Sequence, residues 1–165
     1  MAVRRAAPAV VWSYGRVESR ITIRNATIAD SGSVVSVDPI AASDHGTRAQ
    51  AVEGWLASGA VRVAEVDGRI LGYFVVEATF FGHEFLTMLM VAHGARGQGI
   101  GAALLQAAWR GCRTSKMFTS TNLTNHVMQR LLARAGWRSA GIVYGLDEDD
   151  PELFFLAPDR RRRGP

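Results

Sequence analysis

Hydrophobic residues recur along the chain with two different periods, and the period separates strands from helices. Alternating apolar residues predict a strand that begins at Ile21. Two apolar-rich runs joined by Asp67-Gly68 predict a β-hairpin, because Asp-Gly favours the tight turns that join paired strands. Further apolar or β-prone runs of strand length predict four more strands, at residues 83–91, 116–122, 138–146 and 152–158.

Helical spacing of apolar residues marks four other segments. Residues 31–38 form a short candidate helix that Pro39 ends. The repeat over residues 49–56 predicts a longer helix that Gly59 closes, and two further helices are predicted over residues 101–112 and 125–135. This order of elements predicts an α/β (α+β) fold in which a mixed, mostly antiparallel sheet of about six to seven strands is flanked by helices.

Length and composition favour one compact domain. The chain has 165 residues, of which 48% are hydrophobic. We expect that domain to span residues 20–158, after a flexible extension over residues 1–19 and before a basic tail over residues 159–165. No apolar stretch approaches the roughly 20 residues of a membrane span, and the single cysteine, Cys112, cannot form an internal disulfide bond. A cytoplasmic protein without membrane contact is the expectation.

The formal charge of +4 does not describe the folded part of the chain. Eight of the 19 Lys and Arg residues lie in the tails, four of them consecutively at residues 160–163. The remaining residues 21–158 hold 11 basic and 13 acidic side chains and are mildly acidic. Because runs of like charge are commonly solvated chain ends, we do not expect nucleic acid to bind here.

The segment "ARGQGIGAALL", residues 95–105, places Gly97, Gly99 and Gly101 at the start of a predicted helix. The first N–H groups of a helix have no partner within the helix, and they lie at the positive end of its dipole. Glycine lets an anion approach these N–H groups without an intervening Cβ, and Arg96 adds a positive charge. The segment therefore suits a diphosphate group.

Two familiar phosphate-binding motifs fit this segment poorly. A P-loop needs Lys and then Ser or Thr after its last glycine, where this chain has Ala102 and Ala103. A dinucleotide-binding fingerprint is matched formally by Gly97, Gly99 and Ala102. It also needs an acidic residue about 20 positions further on, where the sequence reads "FTSTNLTN".

A third pattern fits better, namely Arg-x-x-Gly-x-Gly directly after an apolar strand. Arg96, Gly99 and Gly101 provide it after the strand that ends at Val91, and a later helix is led by Asn125 and followed by Gly136-Trp137. In these two motifs and their order, the chain resembles the GNAT superfamily of N-acetyltransferases from about residue 21 to residue 156. The resemblance implies that acetyl-coenzyme A (acetyl-CoA) is the co-substrate.

The resemblance also implies which residues hold acetyl-CoA. The pantetheine arm would pair with the apolar strand where parallel strands separate, the glycine segment would bind the pyrophosphate, and two asparagines would order the arm. Alternatively, the asparagines cap the helix that follows them. The implied residues are Leu89, Met90, Val91, Arg96, Gly97, Gln98, Gly99, Ile100, Gly101, Ala102, Asn122 and Asn125.

The catalytic groups of this chain depart from the family pattern. Family members often have Glu at the position of Thr87, and Glu84 is the nearest carboxylate, so Glu84 is the candidate base, acting through water. A tyrosine acid is excluded at Leu132, where the family often has one. Tyr144, Ser120 or water would then protonate the leaving thiolate, or it leaves unassisted.

The leading hypothesis is an acetyl-CoA-dependent N-acetyltransferase that acts on a primary amine of a small molecule or a peptide in a ternary complex. The alternative is a non-catalytic module that binds or senses acyl-CoA, and a third hypothesis is an RNA-associated protein that uses the arginine tails. The four histidines show no metal-ligand spacing, so no metal is expected. The sequence is compatible with a monomer or a homodimer.

Overall fold

The computed structural model describes residues 10–12, 21–40 and 46–159. Eight strands occur in these residues: β1 (Val10–Trp12), β2 (Ile21–Asn25), β3 (Val61–Val66), β4 (Arg69–Phe80), β5 (His83–Val91), β6 (Met117–Asn122), β7 (Arg138–Val143) and β8 (Glu152–Leu156). The α-helices in the same residues are α1 (Ser31–Val37), α2 (Thr47–Ser58), α3 (Ile100–Gly111) and α4 (His126–Arg134). Single 3-10 turns precede α1 at Ile28–Asp30 and follow β5 at His93–Ala95.

The strands form a mixed sheet in the order β1-β2-β3-β4-β5-β6-β8-β7. β5 and β6 are parallel, whereas β1 with β2, β2 with β3, β6 with β8, and β7 with β8 are antiparallel. The prediction of a mixed, mostly antiparallel α/β sheet is therefore confirmed. The described residues form eight strands instead of the predicted six to seven. The additional strand is β1, which pairs with β2 and lies in the segment that we assigned to the N-terminal extension.

Two tight turns build the β3-β4-β5 part of the sheet. Asp67 and Gly68 have φ of 49° and 75°, and Phe81 and Gly82 have φ of 50° and 76°. Left-handed backbone at both central residues is what a type I′ hairpin turn requires. The first turn follows from its Asp-Gly pair, whereas phenylalanine is an unusual residue at positive φ, and the second turn gives little signal in the sequence.

The chain divides into two compact units. Of the described residues, the first comprises 10–12, 21–40, 46–73 and 90–104, and its buried core includes Val52, Val63, Tyr73, Ile100 and Leu104. It also buries the carboxylate of Asp38, which accepts a hydrogen bond from the Tyr73 hydroxyl at 2.9 Å and forms an ion pair with Arg48 at 3.6 Å. A buried carboxylate needs such partners, because an unpaired charge is costly away from water.

The second unit comprises the described residues 74–89 and 105–159, and its buried core includes Phe74, Leu86, Leu105, Met117 and Leu132. Cys112 is buried there, and its thiol lies within hydrogen-bonding distance of two backbone carbonyl oxygens, of Thr114 at 3.4 Å and of Lys116 at 3.6 Å. Burial raises the pKa of this thiol, which fits a packed side chain rather than a nucleophile.

Several expectations concern residues outside the described part of the chain. Residues 1–9 and 13–20 of the predicted extension, and residues 160–165 of the basic tail, lie outside it, and the expected domain limits stay a prediction.

Among the helices that the structure describes, none has both the length and the apolar character needed to cross a membrane.

Candidate functional site

The predicted site residues are divided between the two units. Met90, Val91 and residues 96–102 belong to the first unit, and Glu84, Leu89, Asn122 and Asn125 belong to the second. The first unit therefore carries the predicted pyrophosphate-binding residues, and the second carries the candidate base.

In the first unit, the glycine segment has a backbone that only glycine adopts easily. Gly97 and Gly99 have φ of 78° and 83°, in the left-handed region that L side chains rarely adopt. A Cβ at either position would meet no atom within 4 Å, so the space above both glycines is open. The glycines therefore serve the backbone conformation and leave room for a ligand, rather than for packing against another part of the protein.

The N–H groups of this segment have no acceptor among the described residues. The first bond of α3 runs from the Ala103 N–H to the Gly99 carbonyl at 3.0 Å, and the N–H groups of residues 97–102 make no hydrogen bond to any described residue. The neighbouring side chains turn back onto the loop: Arg96 Nε donates to the Val91 carbonyl at 3.4 Å, and Gln98 Nε2 donates to the Gly94 carbonyl at 3.3 Å. These N–H groups are thus available to an anion.

Gly72 in β4 lets the start of α3 lie close to the strands. A Cβ at this position would stand 2.8 Å from the Met90 carbonyl oxygen, 2.9 Å from Leu104 Cδ1 and 3.1 Å from Ile100 Cγ2. All three distances are shorter than ordinary van der Waals contact. The absence of a side chain at Gly72 therefore sets the position of the first turns of α3, next to the predicted cofactor strand.

In the second unit, the parallel strands β5 and β6 pair over only three residues. Glu84, Phe85 and Leu86 are matched with Met117, Phe118 and Thr119, and the Thr119 hydroxyl closes the pairing by donating to the Leu86 carbonyl at 2.8 Å. From Thr87 to Leu89, β5 runs on without a partner in β6, while Ser120 to Asn122 continue to pair with β8. The predicted separation of the parallel strands is confirmed.

Glu84, the candidate base, is held by Arg113. Its side chain is only 4% exposed; Oε2 accepts from the Arg113 N–H at 2.8 Å and Oε1 accepts from Arg113 Nε at 2.9 Å. Burial alone would raise the pKa of Glu84, but the hydrogen bonds from Arg113 outweigh it and the pKa is lowered. These hydrogen bonds connect β5 to the segment after α3. Because both carboxylate oxygens already accept hydrogen bonds from Arg113, Glu84 is a weaker proton acceptor.

A second carboxylate, which the sequence reasoning missed, lies beside Thr87. Thr87 Oγ1 donates a hydrogen bond to Glu77 Oε2 at 2.8 Å, and both side chains are partly buried. Glu77 is in β4 and Thr87 is in β5, ten residues apart across the Phe81-Gly82 turn. The sequence would have predicted this contact only if the register of the β4-β5 hairpin had been known.

The two asparagines make structural contacts. Asn125 precedes α4 and accepts a hydrogen bond from the Met128 N–H at 3.1 Å, so it caps the helix, as the alternative prediction stated. Asn122 Nδ2 donates to Asp147 Oδ2 at 2.7 Å and thereby fastens the acidic turn between β7 and β8. A role for either residue in binding acetyl-CoA stays a prediction.

The candidate acids lie in different surroundings. Tyr144 follows β7 and is 73% exposed, whereas Ser120 lies in β6 opposite Phe154 of β8 and is partly buried. Leu132, at the position where the family often has tyrosine, is fully buried in α4. Among the described residues, no hydrogen bond or ion pair joins any of these three side chains to Glu84.

Comparison with known protein families identifies the class of protein to which this fold and its glycine segment belong. A family model described as "Acetyltransferase (GNAT) domain" matches residues 57–139, which is half of the chain. The match includes β3 to β6, α3 and α4, and therefore the elements that carry the glycine segment and Thr87. The chain belongs to the GNAT acetyltransferase family.

Solved structures agree with this assignment. A GNAT-family acetyltransferase from Bacillus cereus is 29% identical, with a TM-score of 0.78 over 84% of this chain and 97% of that one. The ribosomal-protein-alanine N-acetyltransferase of Brucella melitensis is 26% identical, with a TM-score of 0.64 over 81% and 97%. YncA of Salmonella typhimurium, solved with acetyl-CoA, shares the fold at 20% identity and a TM-score of 0.68 over 82% and 92%. A search of curated protein sequences gave no match.

Proposed function

We propose that this protein is an N-acetyltransferase that moves the acetyl group of acetyl-CoA to a primary amine by direct attack in a ternary complex. The observation that carries the proposal is the row of N–H groups at residues 97–102, which lack acceptors among the described residues and face open space at Gly97 and Gly99. Family membership supports acetyl transfer, and the structure of YncA with acetyl-CoA supports this co-substrate.

The residues of the first unit fit a diphosphate. N–H groups at the start of a helix of 12 residues attract anions through direct hydrogen bonds and through the helix dipole. Arg96 is exposed, and because only its Nε is engaged with a described residue, its two terminal nitrogens are available to a phosphate oxygen. We assign the pyrophosphate to residues 96–102.

The end of β5 suits the pantetheine arm. An amide-containing arm needs backbone donors and acceptors that no neighbouring strand uses, and beyond Leu86 the strand has no partner in β6. We therefore assign the arm to the backbone of Leu89, Met90 and Val91. The thioester supplies an activated acetyl group, and the protein has to place an amine next to it and remove a proton from that amine.

Ala102 offers a test that separates charge from size. It is exposed in the first turn of α3, where glutamate is favourable for the helix, so Ala102→Glu should fold normally. A carboxylate about 5 Å from a phosphate charge is repelled by about 3 kcal/mol at an effective dielectric of about 20. Ala102→Glu should therefore weaken acetyl-CoA binding by about 100-fold in isothermal titration calorimetry, whereas Ala102→Gln, which is matched in size, should weaken it by less than about fivefold.

Turnover is tested by the release of coenzyme A thiol. The native protein is mixed with acetyl-CoA and an amine panel that contains an aromatic amine, a polyamine, free amino acids, a lysine peptide and a peptide with N-terminal alanine, the last suggested by the Brucella relative. Thiol release that depends on the amine supports the proposal. Equal affinity of the Glu and Gln variants would contradict the diphosphate site, and binding without turnover would indicate a non-catalytic acyl-CoA module.

A further inference from the structure

Glu77 and Thr87 form a side-chain pair that the proposed function has not used. Thr87 Oγ1 donates to Glu77 Oε2 at 2.8 Å. We propose that this pair deprotonates the acceptor amine, with the Thr87 hydroxyl meeting the amine and Glu77 receiving the proton. The inference rests on the proposed acetyl transfer and assigns its base.

Thr87 stands where the sheet opens. It is the first residue of β5 beyond the last pair with β6, Leu86 with Thr119, and therefore lies where the two strands cease to pair. The alternation of β5 buries Glu84 and Leu86 on one face. Thr87 therefore shares the opposite face with Phe85.

This face of the second unit is lined by aromatic rings. The ring of Phe80 lies 5.0 Å from that of Phe85, 5.1 Å from that of Phe118 and 5.7 Å from that of Phe154. An apolar surface beside the hydroxyl lowers the local dielectric and strengthens a hydrogen bond from an amine to Thr87. Two polar side chains of β5 lie on this face, Thr87 and His83, and the ring of His83 lies 5.9 Å from that of Phe118.

The charges around the pair favour Glu77 as the proton acceptor. Glu77 forms no ion pair with a described residue, whereas both oxygens of Glu84 are engaged by Arg113. The other ionisable side chains on β4 and β5 within the second unit are His83 and Glu84, and β6 carries none. Within this unit, the three strands therefore carry no Lys or Arg that would neutralise Glu77.

The proton steps balance with the groups named. An ammonium donates a hydrogen bond to Thr87 Oγ1; as the Thr87 hydroxyl proton passes to Glu77, the oxygen takes a proton from nitrogen. The neutral amine forms the C–N bond with the acetyl carbon while the C–S bond breaks. A second N–H proton replaces the acetyl group on sulfur, and Glu77 releases its proton to solvent. The products are an amide, a thiol and one proton.

The test is the pH dependence of kcat/KM for the amine of the panel that the native protein turns over fastest. Glu77→Gln and Thr87→Val should each lower kcat/KM at pH 7 by about 100-fold or more, which is the usual contribution of a general base. The loss should shrink at higher pH, where solvent supplies the free amine. Thr87→Ser keeps the hydroxyl and should stay within about fivefold of the native value.

Coupling and controls separate this role from a structural one. Because the two groups act as one unit, the double variant Glu77→Gln/Thr87→Val should lose no more than the single variants. Acetyl-CoA affinity should be unchanged in all of them. Glu53→Gln, which removes an exposed carboxylate on α2, should leave the rate and the pH profile unaltered.

The outcomes distinguish the two proposals. If the native protein turns over no amine, both the acetyl transfer and this assignment fail. If the native protein is active and Glu77→Gln keeps its rate and pH profile, the assignment alone is overturned. Should Glu77→Gln not fold, the comparison of Thr87→Val with Thr87→Ser decides: equal rates refute the relay, and a large difference supports it.

Discussion

Gly72 provides a sharp test of how α3 is positioned, because a single methyl group should disturb it. In Gly72→Ala the new Cβ would lie 2.8 Å from the Met90 carbonyl oxygen and 2.9 Å from Leu104 Cδ1. Leu104 is fully buried and the Met90 oxygen is backbone, so neither can move aside cheaply. Overpacking of this kind costs about 1–3 kcal/mol, and the lower entropy of the unfolded chain returns about 0.4–1 kcal/mol.

The expected net loss for Gly72→Ala is about 0–2.6 kcal/mol, with a midpoint of about 1.3 kcal/mol, which corresponds to about 3–5 °C in Tm for a chain of this size. Gly54→Ala is the matched control, since Gly54 is exposed within α2 and a Cβ there meets nothing within 4 Å. The control should gain about 0.5–1 kcal/mol from helix propensity. Urea denaturation measures both variants, and a Gly72→Ala protein as stable as Gly54→Ala would refute the close approach of α3.

Two further predictions concern single polar side chains. Hydrogen bonds from Arg24, together with those from Thr27, hold the pKa of Asp30 well below its usual range. The stabilisation is therefore complete above about pH 5 and is lost as pH falls through the lowered pKa; Asp30→Asn should cost about 1–3 kcal/mol at pH 7, and urea titrations should show the difference shrinking towards pH 2. Asn125→Ala should lose about 1 kcal/mol as a missing helix cap, whereas Asn125→Ser keeps a cap and removes the amide donors without adding a charge; weaker acetyl-CoA binding by the Ser variant would show that Asn125 also serves the ligand.

Much of the fold is predictable because its strands and helices have clear apolar periods. The Asp67-Gly68 turn and the helix stop at Gly59 also follow from residues whose backbone preferences are strong. β1 escapes prediction because it is a strand of three residues whose stability comes from pairing with β2, not from its own pattern. The period of the apolar residues reveals a strand or helix of ordinary length, but it cannot reveal a strand as short as β1.

The base of the candidate site is less predictable than its anion-binding loop. The glycines of the loop are read directly, since their spacing reflects local backbone needs. By contrast, Glu84 is engaged by Arg113, 29 residues away, and Glu77 meets Thr87 only through the register of β4 and β5. A shift of register by one residue would move a side chain to the other face of the sheet, and the Phe81-Gly82 turn that sets this register has no strong sequence signal.

The pairing of β7 with β8 skips a residue between Ser139 and Gly141, and every residue of β7 is exposed. β7 is the last strand on its side of the sheet within the described part of the chain. A straight terminal strand with free backbone groups would offer a template for adding strands from other molecules, the route by which β-proteins form fibrils. The extra residue, Ala140, increases the local twist of this edge strand. Arg138 adds a positive charge that would repel the Arg138 of a stacked copy. We expect this irregularity to hinder the addition of a strand from another molecule to β7.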